Sequence, residues 1–216
     1  MKTDKQLQED VMRELAWESS INSAHIGVEV DQGVVTLLGH VDSFAEKWGA
    51  ERAVKRVSGV HTVAVELDVK LKGAAKRTDS DIALSVSHSL AYLSTIPKDA
   101  IRAMVEQGTI TLSGEVEWDY QRHAAENTVR NLMGVRGVIN LISVKPKVNV
   151  SVVKSEIEAA LKRRAYLDAQ EISVSVEGDA LTLSGKVHSW TEKNLAINSA
   201  WSTPGVRKVV DKLMFV

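Results

Sequence analysis

Three tandem copies of one α+β unit are what this chain predicts, each a small mixed three-stranded sheet with two helices on one face. Three observations carry that prediction. Segments offset by 75 and then 71 residues superpose without an internal gap, most clearly at Val35–Val41 (VTLLGHV), Ile110–Val116 (ITLSGEV) and Leu181–Val187 (LTLSGKV). Twenty residues after the glycine of each stretch comes a second one, Gly59, Gly134 or Gly205, opening a Gly-Val-x-x-Val run. Within each copy the apolar spacing changes from four to two, the change from a helix face to a strand face.

The elements follow in order. Apolar residues four apart mark the first helix: Leu7, Val11 and Leu15, then Ile82, Val86 and Leu90, then Val153, Ile157 and Leu161. Thr3, Thr78 and Asn149 precede these helices and suit an N-cap, and Thr3 with Gln6 fits a capping box. Alternation at Ile26, Val28, Val30, at Ile101, Ala103, Val105 and at Ile172, Val174, Val176 predicts the first strand. Gln32-Gly33, Gln107-Gly108 and Gly178-Asp179 then turn the chain into a hairpin, whose second strand carries Val35, Leu37 and their equivalents. Ala50, Ala125 and Ala196 mark the inner face of a second helix. Val63, Val65, Leu67 and Val69 form the last strand of the first copy, with Val138, Ile142 and Val144 in the second. A hairpin pairs strands antiparallel, and a helical crossover returns the third strand parallel. The expected units span residues 1–72, 78–146 and 148–216, each large enough to fold as a small domain.

Composition narrows the function. The 216 residues hold 27 Lys and Arg against 28 Asp and Glu, and no cysteine. Disulfides, thiolate catalysis and Cys-ligated zinc are excluded, and the near-neutral balance argues against a nucleic-acid partner. The first ten residues contain no apolar run and no eighteen apolar residues run together, so the expectation is a cytoplasmic protein without signal peptide or membrane span.

The α-β-β-α-β order, the glycine after the second strand and the Gly-Val-x-x-Val before the third resemble the BON domain, three times over. The match is closest at Gly134–Val144, where Asn140 stands in the family's asparagine position; Val65 and Asp211 replace it in the other copies. The resemblance implies a non-enzymatic module of the osmotically inducible, tandem-BON kind. It implies association with phospholipid surfaces or a protein partner in osmotic or general stress. The alternative it leaves open is a cytoplasmic sensor of a monovalent cation or an interaction module.

No catalytic or metal-binding pattern competes with this reading. His25, His40, His61, His88, His123 and His188 lack metal-ligand spacing, and His40 and His61 fall in columns that are polar but variable. Ser113 and Ser184 follow a strand, but Leu38 fills their column in the first copy, which leaves them no nucleophilic role. No enzyme, cofactor or metal is expected. Gly39, Gly114 and Gly185 admit two readings, a backbone nest for an ion or a bend that any unit of this fold needs; the bend is favoured. Linker cations (Lys70, Lys72, Lys76, Arg77, Lys145, Lys147, Lys162-Arg163-Arg164) are read as solvating charge. Trp17, Tyr92 and Arg163 share one column, and Phe44, Asp119 and Trp190 another, so these aromatics lie outside the common core. On the second helix, Glu51/Lys55 and Glu126/Arg130 fit exposed salt bridges, whereas the third copy has Ile197 and Trp201. That apolar pair is expected at a contact between repeats or with a partner.

Overall fold

The period-four and period-two segments become helices and strands in the predicted order. The computed structural model describes residues 2–145, 172–177, 180–203 and 206–216. The first unit comprises α1 (Asp4–Trp17), β1 (Ile26–Asp31), β2 (Val34–Val41), α2 (Phe44–Arg56) and β3 (Thr62–Val69). The second comprises α3 (Asp79–Ala91), β4 (Ile101–Glu106), β5 (Thr109–Val116), α4 (Asp119–Val129) and β6 (Gly137–Val144). The third shows β7 (Ile172–Glu177), β8 (Ala180–Val187), α5 (Trp190–Trp201) and β9 (Lys208–Phe215). The helix expected at Val153, Ile157 and Leu161 with its cap Asn149 lies outside the described residues. So do the turn Gly178-Asp179 and Gly205.

In every sheet the middle strand pairs antiparallel with the first and parallel with the third, as hairpin and crossover require. Alternate residues of the middle strand (Val35 and Leu37, Ile110 and Leu112, Leu181 and Leu183) point inward and are fully buried. Against them pack Leu7, Val11 and Leu15 of α1 and Ala50, Ala53 and Val54 of α2. In the second unit Ile82 and Val86 of α3 and Ala125 and Val129 of α4 do the same. Alanine on the second helix lets it approach the sheet closely.

Thr3 and Gln6 form the expected capping box, and Thr78 with Asp81 forms another. The hairpin turns place Gln32 at φ +47° and Gly33 at +76°, with Gln107 and Gly108 at +50° and +77°. Two left-handed residues in succession define the hairpin turn whose twist matches that of the strands. One carboxylate fixes each turn: Asp4 accepts the N–H groups of Gln32 and Gly33 at 3.0 and 3.1 Å. Asp79 accepts those of Gln107 and Gly108, both at 2.8 Å. Each aspartate also opens its helix, where an acid is favoured by the helix dipole.

Gly39, Gly114 and Gly185 have φ of +116°, +133° and +127°. A Cβ on Gly114 would fall 2.1 Å from the carbonyl oxygen of Ala100, and one on Gly39 equally close to that of His25. The amide after the bend is already used, since Glu115 N–H donates to Ala100 at 3.3 Å. Close backbone approach therefore accounts for glycine at positions 39 and 114.

Candidate interaction surfaces

The second helices carry the residues by which the units touch. Lys55 Nζ lies 5.0 Å from the ring centroid of Trp190, Arg130 Cζ 3.6 Å from that of Trp48, and Arg122 Cζ 5.0 Å from that of Trp201. Lys55, Arg130 and Trp201 occupy one column of the repeat, at the last turn of α2, at the end of α4 and at the last turn of α5. Each reaches the first half of the next second helix, so the contacts run from unit one to three, two to one and three to two. Three helices meeting this way close a triangle. Trp190 packs against the core of the first unit, and Phe44 and Trp201 against that of the second. Phe215 adds a stacked contact with His61, ring centroids 5.8 Å apart.

Trp201 is half-buried between the third and second cores, while Ile197 packs only on its own unit's core. Lys55 and Glu51 make the predicted ion pair at 2.5 Å. The equivalent pair in the second unit is not made. Glu126 instead accepts from Asn140 Nδ2 at 3.0 Å, and Arg130 turns away to stack on Trp48. The family asparagine thus ties β6 to α4; in the third unit Asp211 does so through Lys193 at 2.7 Å. In the first unit Val65 makes no such bond, and Lys47 reaches the Leu67 carbonyl at 2.7 Å.

A cleft of about 500 Å³ lies between α2 and α5, lined among others by Trp48, Arg52, Lys55, Trp190, Asn194 and Asn198. Lys55 is neutralised there by Glu51, and Arg56 by Glu14 and Glu18, each at 2.8 Å. Among the described residues no group of His, Asp or Glu side chains is arranged to hold a metal ion.

A second concavity, about 630 Å³, separates α3 from the edge strand β4. Val86, Leu90, Ile96, Ile101 and Ala103 give it apolar walls, and Lys98, Arg102 and the acid Asp99 also line it. Its origin is Ala103, which replaces Val28 and Val174 of the other units: the smaller side chain leaves the space between helix and strand unfilled. Beside it the outward face of α3 carries no acid or base after Asp81 except His88, and Leu84 is 61% exposed. Tyr92 at the helix end is 89% exposed, and Trp17, in the same column at the end of α1, is 86% exposed. Sequence reading had placed Tyr92 and Trp17 outside the core but missed this groove, whose signal was the single alanine in a valine column.

Two of the linker cations within the described residues are paired with an acid of their own unit. Lys72 pairs with Asp42 at 2.5 Å and Lys145 with Glu115. Lys147 and Lys162-Arg163-Arg164 lie outside the described residues.

Two α-β-β-α-β units and a third described as β-β-α-β, each with a buried middle strand, a glycine bend and a tied second helix, define a tandem-repeat domain protein of one family. The family model for the BON domain matches residues 3–70, 78–146 and 149–215, and the chain belongs to that family. A curated relative is osmotically-inducible protein Y of Escherichia coli (strain K12), 30% identical over 146 residues, covering 66% of this chain and 73% of the relative. Solved structures matched along most of the chain include CdsD of the type III secretion system of Chlamydia trachomatis, 15% identical at a TM-score of 0.25 over 98% of this chain and 92% of that one. The PrgH periplasmic domain is 13% identical at a TM-score of 0.24 over 90% and 96%.

Proposed function

We propose that the chain is a non-enzymatic interaction protein that associates peripherally with phospholipid surfaces in osmotic or general stress, with the second unit making the contact. The observation that carries this is the α3–β4 groove: apolar walls for acyl carbon, Lys98 and Arg102 for a headgroup, and an uncharged helix face ending in exposed Tyr92 beside it. A helix whose outward face has lost its charges suits the boundary between water and lipid, where tyrosine and tryptophan rings are also favoured. Membership of the BON family and the likeness to an osmotically inducible relative support the stress setting. Among the described residues no helix is long and apolar enough to cross a membrane, so contact would be at the surface.

Co-sedimentation with phosphatidylglycerol vesicles at low salt tests the reading. The intact chain is expected to pellet with them, and Leu84→Glu with Tyr92→Glu, both on exposed positions, to leave it in the supernatant while its circular dichroism stays unchanged. No sedimentation of the intact chain, or sedimentation indifferent to the double variant, rejects it.

A further inference from the structure

We propose a second, separate ligand site: Arg52 and Arg130, both held on Trp48, bind an oxyanion of the phosphate class where the first and second units meet. Arg130 is only 7% exposed, and its Nη1 has no hydrogen-bond partner among the described residues. The carboxylate one helical turn before it, Glu126, gives an oxygen to Asn140 instead. A second guanidinium, that of Arg52, stands against the same ring, its Cζ 4.7 Å from the centroid of Trp48 against 3.6 Å for Arg130. Neither arginine makes an ion pair among the described residues.

Two like charges on one indole, one of them buried, are an arrangement that folding alone does not favour. A buried charge is retained when it is paired or hydrogen-bonded, and the indole face compensates only part of the lost hydration. Burial, with Arg52 acting in the same sense and Glu126 opposing it, draws the Arg130 pKa below the usual arginine value. An anion held by both guanidinium groups offsets the repulsion and gives the free Nη1 an acceptor. Planar guanidinium forks match tetrahedral oxyanions through paired N–H donors. The α2–α5 cleft opens on the Arg52 side of the pair, lined by Trp48 and Arg52, with Thr191, Asn194 and Asn198 supplying further polar groups. Two guanidinium groups offer more N–H donors than one carboxylate can use, which favours a phosphate group, either on a small soluble molecule or on a lipid headgroup.

Inorganic phosphate is the probe, titrated calorimetrically against the full chain with chloride at matched ionic strength as the control. Saturable binding is expected for phosphate and none for chloride. Arg52→Gln, on an exposed position, is expected to weaken binding about tenfold, the size of one charge-assisted hydrogen bond, without changing the melting of the phosphate-free protein. Arg130→Lys, which keeps the charge but loses the fork, is expected to weaken it similarly. Absence of saturable binding, or binding untouched by Arg52→Gln, overturns the proposal. Phosphatidylglycerol vesicles identify the source of the phosphate: release of bound vesicles by free phosphate assigns the site to headgroups, and unaffected vesicles assign it to soluble phosphates. The Leu84→Glu, Tyr92→Glu variant separates this site from the α3–β4 groove, since phosphate affinity there is expected to equal that of the unaltered chain.

Discussion

Replacing Gly114 by alanine tests whether backbone geometry alone fixes the glycine column. The residue sits at φ +133°, a conformation that costs an L-residue about 1–2 kcal/mol. Its new Cβ would also lie 2.1 Å from the Ala100 carbonyl oxygen, which must retreat and weaken the 3.3 Å bond it accepts from Glu115. Losing that bond adds about 1 kcal/mol, giving a total of roughly 2–3 kcal/mol. For a unit of this size each kcal/mol moves the midpoint by about 4–8 °C, so the second unit is expected to melt at least about 8 °C lower. Hydrogen exchange on the amides of β5, followed with temperature, reports that unit separately from its neighbours. Gly33→Asn is the matched control. It has φ +76° but no atom nearer than His61 Nδ1 at 3.8 Å, and asparagine accepts left-handed geometry, so its effect stays within a few tenths of a kcal/mol. Melting of Gly114→Ala within about 2 °C of the unaltered chain would refute the steric account and return the column to a ligand-binding role.

Asp79→Ala removes the acceptor of two turn amides and is expected to cost the second unit about 1–2 kcal/mol, read as earlier exchange of the Gln107 and Gly108 amides. Hydrogen bonds from Arg56 first, and from Ser20, hold the Glu18 carboxyl below its usual 4.5. A depressed acid stabilises the fold above that value and loses its contribution as pH falls through the lowered one. Acid titration below about pH 4.5 should therefore destabilise the first unit, and Arg56→Gln should flatten that limb. Trp201→Lys is expected to open the contact between the third and second units and enlarge the scattering radius, leaving β7, β8 and β9 folded; an unchanged profile would show that the triangle does not depend on Trp201.

Element order was legible because each unit must bury one helix stripe against one strand face, and both periods survive in the sequence at Leu7, Val11, Leu15 and at Val35, Leu37. Strand directions followed from connection type alone. The Thr3 cap was visible for the same reason: its partner Gln6 is three residues away. What escaped were bonds between residues distant in sequence. Asp4 and Asp79 fix turns 28 and 29 residues ahead, and nothing local distinguishes them from ordinary first-turn acids. The Glu126–Arg130 spacing suggested an ion pair that Asn140 intercepts from another strand, so a correct local rule lost to a tertiary competitor. Ala103 counts in the sequence only as one member of the alternation that predicts β4, and the structure shows the groove its small size opens against α3.

On the second helices the three copies differ in the columns by which they meet. Identical units joined head to tail by one rotation either close or grow, and closure at three requires the same patch to meet a different patch on the next copy. Here the donor patch is the column of Lys55, Arg130 and Trp201, and the acceptor patch is the first half of the following helix. Two contacts set a cation on an indole, and the third reverses the roles, with Trp201 taking the cation Arg122. Each such contact contributes only about 0.5–1 kcal/mol near the surface, too little to hold separate molecules together. Covalent linkage supplies an effective concentration in the millimolar range, so three weak contacts suffice within one chain. Reversal at the third contact also gives each junction its own partner, which a symmetric set would not. Trp17 and Tyr92, at the ends of α1 and α3, stay exposed outside this triangle. In the first two units the helix that holds the units together is thus distinct from the helix whose end stays exposed.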